Sequence, residues 1–185
     1  MTAMTTYLAL LRGINVGGKN KLPMTDVREA FEADGCTAVC TYIQSGNVVF
    51  SSDRPRAELE QRIESMLERR FGMKLVVVVR SRRQLRATVE EAPDGFGQAP
   101  DTFHSDVMFL RAPLTPTSAM AAVQVRDGVD QAWPGSGVVY FARLSELRTK
   151  SHLSRIVGRP EYQLMTVRNW STTTKLLTLV DERAD

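Results

Sequence analysis

The stretch from Asp53 to Val79 most constrains what this chain can fold into. Leu59, Ile63, Met66, Leu67 and Phe71 form one apolar stripe at helical spacing, closed by Gly72. Asp53 is a candidate cap, Pro55 suits the first turn, and Glu58 and Arg62 are spaced to pair across one turn of the wet face. Leu75 to Val79 follows as five apolar residues in a row, four of them valine. Such a run predicts a central strand covered on both faces. An amphipathic helix feeding directly into a buried strand implies a layered α and β architecture.

Upstream, Tyr7–Leu11 predicts a buried strand, and Pro23 to Asp34 a helix with Val27, Ala30 and Phe31 inward and Gly35 at its end. Thr37 to Gln44 and Asn47 to Ser51 predict a hairpin turning at Ser45-Gly46. Ser81-Arg82-Arg83-Gln84 reads as a capping box opening a short helix. The order is β-α-β-β-α-β with an added helix, the split βαβ or ferredoxin-like unit. Pro93 to Asp101 interrupts the pattern with a glycine- and proline-rich connection. Strands are then expected at Asp106 to Leu110, within Gln124 to Trp133, at Val138 to Ala142 and at Tyr162 to Val167. Helices are expected after Thr115-Pro116, over Ser151 to Val157, and from about Asn169. The expected fold class is α+β: two ferredoxin-like subdomains with additional helices, over residues 1–92 and 104–185, joined by 93–103. No residue-level repeat accompanies this match in element order.

The chain has 185 residues, a net charge of +3 and a sequence pI near 9.1. That balance is too mild by itself to indicate a nucleic-acid binder. Cys36 and Cys40 are too far apart on a strand for a relaxed disulfide, and they lack the partners for a zinc site. They read as reduced packing residues. No signal peptide or membrane span is visible, so a cytoplasmic protein is expected.

The polar clusters carry the functional reading. Arg12 to Lys21 packs three glycines, two asparagines and three cations between a strand and a helix. Such a junction collects backbone N–H groups and positive charge. Gly13 to Gly18 followed by Lys19 has the spacing of a Walker A loop, but Asn20 stands where the metal-binding hydroxyl belongs. The Rossmann glycine pattern is also missing. The loop reads as an anion site: Gly17 and Gly18 expose backbone N–H groups, and Arg12, Lys19 and Lys21 supply charge. The plain structural alternative is a tight turn with solvated cations. In the hairpin, Gln44 and Asn47 could hydrogen-bond a ligand or the opening loop. Near the end, Asn169 is a good helix cap, while Arg168 is a cation at a helix start, which is unfavourable without an anion nearby. His104 and His152 have no clustered acids or cysteines close in sequence and read as structural or exposed.

These residues carry a resemblance. Tyr7 to Lys21, Thr41 to Phe50, Thr166 to Trp170 and Lys175-Leu176 together resemble the bacterial domain of unknown function 1697 family. The resemblance spans nearly the whole chain and departs at Ser171, where the family usually has asparagine. It implies two ferredoxin-like α+β subdomains and carries no established activity.

The leading expectation is therefore a binding protein for a small phosphorylated or nucleotide-like ligand. Its site residues would be Arg12, Asn15, Gly17, Gly18, Lys19, Lys21, Gln44, Asn47, Arg168 and Asn169. The alternatives are motifs that lock the two subdomains together, and weak nucleic-acid binding through a basic face. No cofactor or metal is expected, and no nucleophile or acid–base pair identifies an enzyme.

Overall fold

The structure is a computed structural model and describes residues 3–183. The chain divides into two compact units, Met1–Leu85 with Leu176–Asp185, and Arg86–Lys175. Each contains one four-stranded antiparallel sheet, and each sheet has the ferredoxin-like strand order.

In the first unit the strands are β1 (Thr5–Leu11), β2 (Thr37–Tyr42), β3 (Asn47–Ser52) and β4 (Val77–Ser81), in the order β2-β3-β1-β4. Helices α1 (Met24–Ala33) and α2 (Arg56–Phe71) cover one face. Tyr7, Ala9, Leu11, Val48, Phe50, Val77 and Val79 point into that layer, against Val27 and Phe31 of α1 and Leu59, Ile63 and Leu67 of α2. Side chains of the opposite face, including Leu8, Leu10, Val49 and Val78, are also buried. The predicted stripe of α2 and its closing glycine hold: Gly72 adopts the left-handed conformation (φ 67°) and donates to the Glu68 carbonyl.

Three local expectations are corrected. The valine strand β4 is an edge strand rather than a central one, because β1 and β3 take the middle of this topology. It is buried nonetheless, and its outward amides find acceptors on α2. Val79 N–H donates to Glu60 Oε1 and Val77 N–H to Glu64 Oε1, each at 3.0 Å. These carboxylates close an edge that would otherwise offer unpaired donors. Asp53 does not cap α2; Pro55 occupies the cap position with no side-chain bond. Arg62 pairs with Asp34 through two contacts of 2.7 and 3.0 Å instead of with Glu58, since a fixed bidentate partner outcompetes a solvated one on the same helix.

Helix α3 (Arg82–Glu90) opens with the predicted capping box: Gln84 N–H donates to Ser81 Oγ (3.3 Å), and Ser81 N–H to Gln84 Oε1 (3.0 Å). The second unit is built on β5 (Phe103–Leu110), β6 (Asp130–Gly135), β7 (Val138–Leu144) and β8 (Met165–Asn169), in the order β6-β7-β5-β8, with α4 (Pro116–Ala122) after β5. Thr115 caps α4 as expected, accepting from Ser118 N–H. The short helix expected over Ser151 to Val157 forms as a 3-10 turn over Leu153–Gly158 rather than as an α-helix. Three 3-10 turns, Ser145–Lys150, Leu153–Gly158 and Pro160–Leu164, connect β7 to β8. Gly158 and Pro160 stop the turn before an α-helix can propagate. Helix α5 (Trp170–Asp181) closes the described chain. Its end belongs to the first unit, where Arg82 Nε meets Asp181 Oδ1 at 2.7 Å.

The two sheets share a register. Thr5 faces Ser52 and Tyr7 faces Phe50 in the first; His104 faces Arg143 and Asp106 faces Phe141 in the second. Both central strands end in the same bonds: Leu11 N–H to the Gly46 carbonyl and Arg12 N–H to the Val76 carbonyl, then Leu110 to Gly137 and Arg111 to Leu164. Arg80 and Arg168 occupy matching positions on β4 and β8. Both are buried, and burial lowers both guanidinium pKa values to about 10.

Four outcomes are expected. Glu60→Leu should cost about 1–3 kcal/mol in urea unfolding, because it orphans the buried Val79 N–H. Glu60→Gln should cost less, since it keeps an acceptor while removing the charge that supports Arg80. Gly46→Ala should cost at least about 1–3 kcal/mol, since Gly46 has φ +83° and an added Cβ would lie 2.8 Å from Leu11 Cβ. Finally, burial and then the charge of Asp34 push the Cys36 thiol up to about 11. At pH 8, iodoacetamide should therefore alkylate the more exposed Cys40 ahead of Cys36, read by mass spectrometry.

Candidate functional site

The opening loop leaves β1 at Arg12 and reaches α1 at Met24. Its glycines and asparagines have a conformational reason. Gly13, Asn15, Gly17, Gly18 and Asn20 all have positive φ, a region that glycine and asparagine enter most readily. The tip closes on itself through Lys19 N–H to the Val16 carbonyl (3.0 Å) and Asn15 N–H to the Asn20 carbonyl (3.2 Å).

Asn15 holds the loop in place. Its Nδ2 donates to the Leu22 carbonyl (2.9 Å) and to the Gln44 carbonyl (2.8 Å), while its Oδ1 accepts from Leu22 N–H (2.8 Å). One side chain thus ties the loop, the hairpin turn and the entry to α1 together. Asn20 Nδ2 adds a bond to the Gly13 carbonyl. Below them Asn47 is fully buried and donates to the Tyr42 carbonyl and to Ser45 Oγ, both at 3.0 Å, which shapes the hairpin turn. Gln44 therefore meets the opening loop as its sequence position suggested, but through its backbone carbonyl.

These bonds frame a cleft of about 580 Å³, lined by Asn15, Gly18, Lys21, Gln44, Leu22, Pro23, Met24 and Thr25. Four of the sequence-selected residues meet there. Lys21 brings the charge, Gly18 the backbone and Gln44 an amide, while the Asn15 side chain holds the wall together. The residues that sequence reasoning missed are Leu22 to Thr25, the start of α1. No side chain caps that helix, because proline occupies its cap position. Its first N–H groups and the positive end of its dipole thus adjoin the cleft. A proline opening a helix beside a lysine-bearing loop is a legible signal for such a place.

The remaining selected residues fall elsewhere. Gly17 and Lys19 are exposed on the same loop outside the cleft lining, and Arg12 is half-buried at the end of β1. Arg168 and Asn169 belong to the second unit. There the Arg168 guanidinium turns back along its own strand, with Nη1 donating to Thr166 Oγ1 (2.8 Å) and to the Val167 carbonyl (2.9 Å). This answers the objection to a cation at a helix start without an anion. Asn169 caps α5 as expected, its Oδ1 accepting from Thr172 N–H at 2.7 Å. Trp170 packs edge-on against Phe96.

His104 is partly exposed, as the sequence reading expected, but it has an acid beside it. It lies two residues from Asp106 on one strand, so both side chains project from the same face, and His104 Nε2 is 3.5 Å from Asp106 Oδ1. The strand expected from Asp106 begins three residues earlier, at Phe103, which is why the i, i+2 pairing was not legible in the sequence. Among the described residues no group of three or more His, Cys, Asp and Glu is placed to hold a metal ion, and no helix is long and apolar enough to cross a membrane.

The comparisons with known proteins agree with this architecture. A search of curated proteins found no match. The conserved bacterial protein SP0830 from Streptococcus pneumoniae has a similar solved structure, with a TM-score of 0.85 and 27% identity over 96% of this chain and 99% of that one. The family model described as "Protein of unknown function (DUF1697)" matches residues 4–140, which include the opening loop, the hairpin and the start of α1. On that match, covering well over half of its length, the chain belongs to the DUF1697 family.

Proposed function

We propose that this protein binds a small anionic ligand, phosphorylated or nucleotide-like, in the cleft between the opening loop, the hairpin turn and the start of α1. One observation carries the reading: Lys21 and the backbone of Gly18 share a cleft with a helix start that no side chain caps. An anion there would interact with the lysine and with a partial positive charge of about half a unit from the helix. The volume of about 580 Å³ suits a nucleotide-sized molecule. A comparison within the chain adds support. The first unit uses residues 12–23 to join its central strand to its helix, where the second uses only 111–115. The fold therefore does not require the loop, and loops exceeding the needs of the scaffold commonly carry function.

A second reading keeps the motifs architectural, and the bonding of Asn15 and Asn47 favours it, because their side chains are committed to holding backbone. The two readings divide the motif by residue type: asparagines build the loop, and Lys21 and the Gln44 side chain contact the ligand.

Differential scanning fluorimetry and calorimetric titration with inorganic pyrophosphate, AMP and a sugar phosphate separate them. The expected result is a saturable rise in Tm with at least one probe, and an affinity loss of about tenfold for Lys21→Ala, equivalent to about 1.4 kcal/mol. The unliganded Tm of that variant should stay within a degree of the parent, since Lys21 is exposed. Higher salt should weaken binding. If millimolar concentrations of every probe leave Tm unchanged while Asn15→Ala lowers it, the architectural reading stands alone.

A further inference from the structure

The second unit holds a separate cleft of about 350 Å³, and its polar end is made of charge. It is lined by Asp106 and Arg143, with Tyr162, Ile156, Val157 and Val167 among its walls. Asp106 is buried, yet the nearest side-chain donors stand at or beyond hydrogen-bonding range, His104 Nε2 at 3.5 Å and Arg143 Nη2 at 3.7 Å. Arg143 Nε is buried without a hydrogen-bond partner among the described residues. Asp130, the register partner of Arg143 on β6, accepts from Arg126 N–H and His152 N–H through Oδ2, while its buried Oδ1 has no partner. Buried polar groups are almost always satisfied, so the open Arg143 Nε beside the cleft, and the open Asp130 Oδ1 behind it on β6, need an explanation.

The fold does not supply one. At the corresponding register positions the first unit carries Thr5, Tyr7 and Ser52, where the second carries His104, Asp106 and Arg143. The same sheet is thus built with no charge at these three positions. The cover also differs. Where α2 lays Leu59 and Ile63 over the first sheet, the 3-10 turns between β7 and β8 supply only short apolar walls, and the cleft lies among them.

The geometry points to a ligand site in this cleft for a small, flat, uncharged ring that presents an N–H donor beside a carbonyl acceptor, a lactam edge of the kind found on nucleobases. The Asp106 carboxylate is an acceptor and the Arg143 guanidinium a donor, 3.7 Å apart, and their complement is a donor next to an acceptor. The two charges cancel, so a ligand bearing net charge would be desolvated without compensation. The apolar walls and the Tyr162 ring suit a planar body. The site is distinct from the cleft beside the opening loop, and its residues all belong to the second unit.

The test is calorimetry and saturation-transfer NMR on the whole chain with inosine as the probe and 1-methylinosine, which lacks the N–H, as the control. Saturable inosine binding is expected. It should weaken by about tenfold or more on 1-methylation, in Asp106→Asn and in Arg143→Gln. Because those variants alter buried charge, Val157→Trp provides the second arm. Val157 is an exposed lining residue, and the indole should block the cleft while leaving the unfolding temperature near that of the parent. Lys21→Ala should leave inosine binding unchanged, which separates this site from the other. Absence of saturable inosine binding, equal binding of 1-methylinosine, or full binding by Val157→Trp would each overturn the assignment.

Discussion

Both halves of this protein depend on how the central strand of each sheet ends. Leu11 and Arg12 donate their N–H groups to Gly46 and Val76, and Leu110 and Arg111 donate theirs to Gly137 and Leu164. These bonds clamp the outgoing chain between the hairpin turn on one side and the incoming edge strand on the other. The direction in which the chain leaves is therefore the same in both units. The first unit follows with a long glycine- and asparagine-rich loop, and the second passes almost directly into α4. The clamp belongs to the fold, whereas the loop is specific to one copy of it.

A second constraint is the edge of the first sheet. A short run of valines buried on both faces would be prone to pair with another chain if its outward amides were open. Glu60 and Glu64 reach from α2 to occupy them. Placing a carboxylate there has a further effect, because Glu60 also offsets part of the burial penalty on Arg80. Helix, edge strand and buried arginine are thus coupled through one side chain.

Polar chemistry is distributed unevenly over this repeated scaffold. The first unit concentrates it in backbone: positive-φ glycines, an uncapped helix start, and asparagine amides that hold the chain in shape. The second concentrates it in side chains on the sheet itself, where His104, Asp106 and Arg143 replace uncharged residues of the first. Two copies of one topology have been given different surfaces to present.

Much of the architecture was legible in the sequence. Apolar spacing over Leu59 to Phe71, the capping box at Ser81, the Thr115 cap and the Asn169 cap are local physics, settled within one or two helical turns, and each reappears in the structure. Strand order was not local. The valine run reads as a central strand because its composition reports burial, while its position at the edge depends on which strands it pairs with. The helix between β7 and β8 is similar: an apolar stripe marks which residues turn inward, but Gly158 and Pro160 decide that short 3-10 turns form rather than an α-helix. At the candidate sites the division follows the same line. The sequence by itself determined that a cationic, glycine-rich junction exists and which residue types it offers. Only the tertiary structure decided that Asn15 uses its side chain on Leu22 and Gln44, that Lys21 and Gly18 share a cleft with the start of α1, and that Arg168 turns back along its own strand. The physical reason is that hydrogen-bond partners are chosen by proximity in space, and proximity is created by strand pairing between residues far apart in the chain.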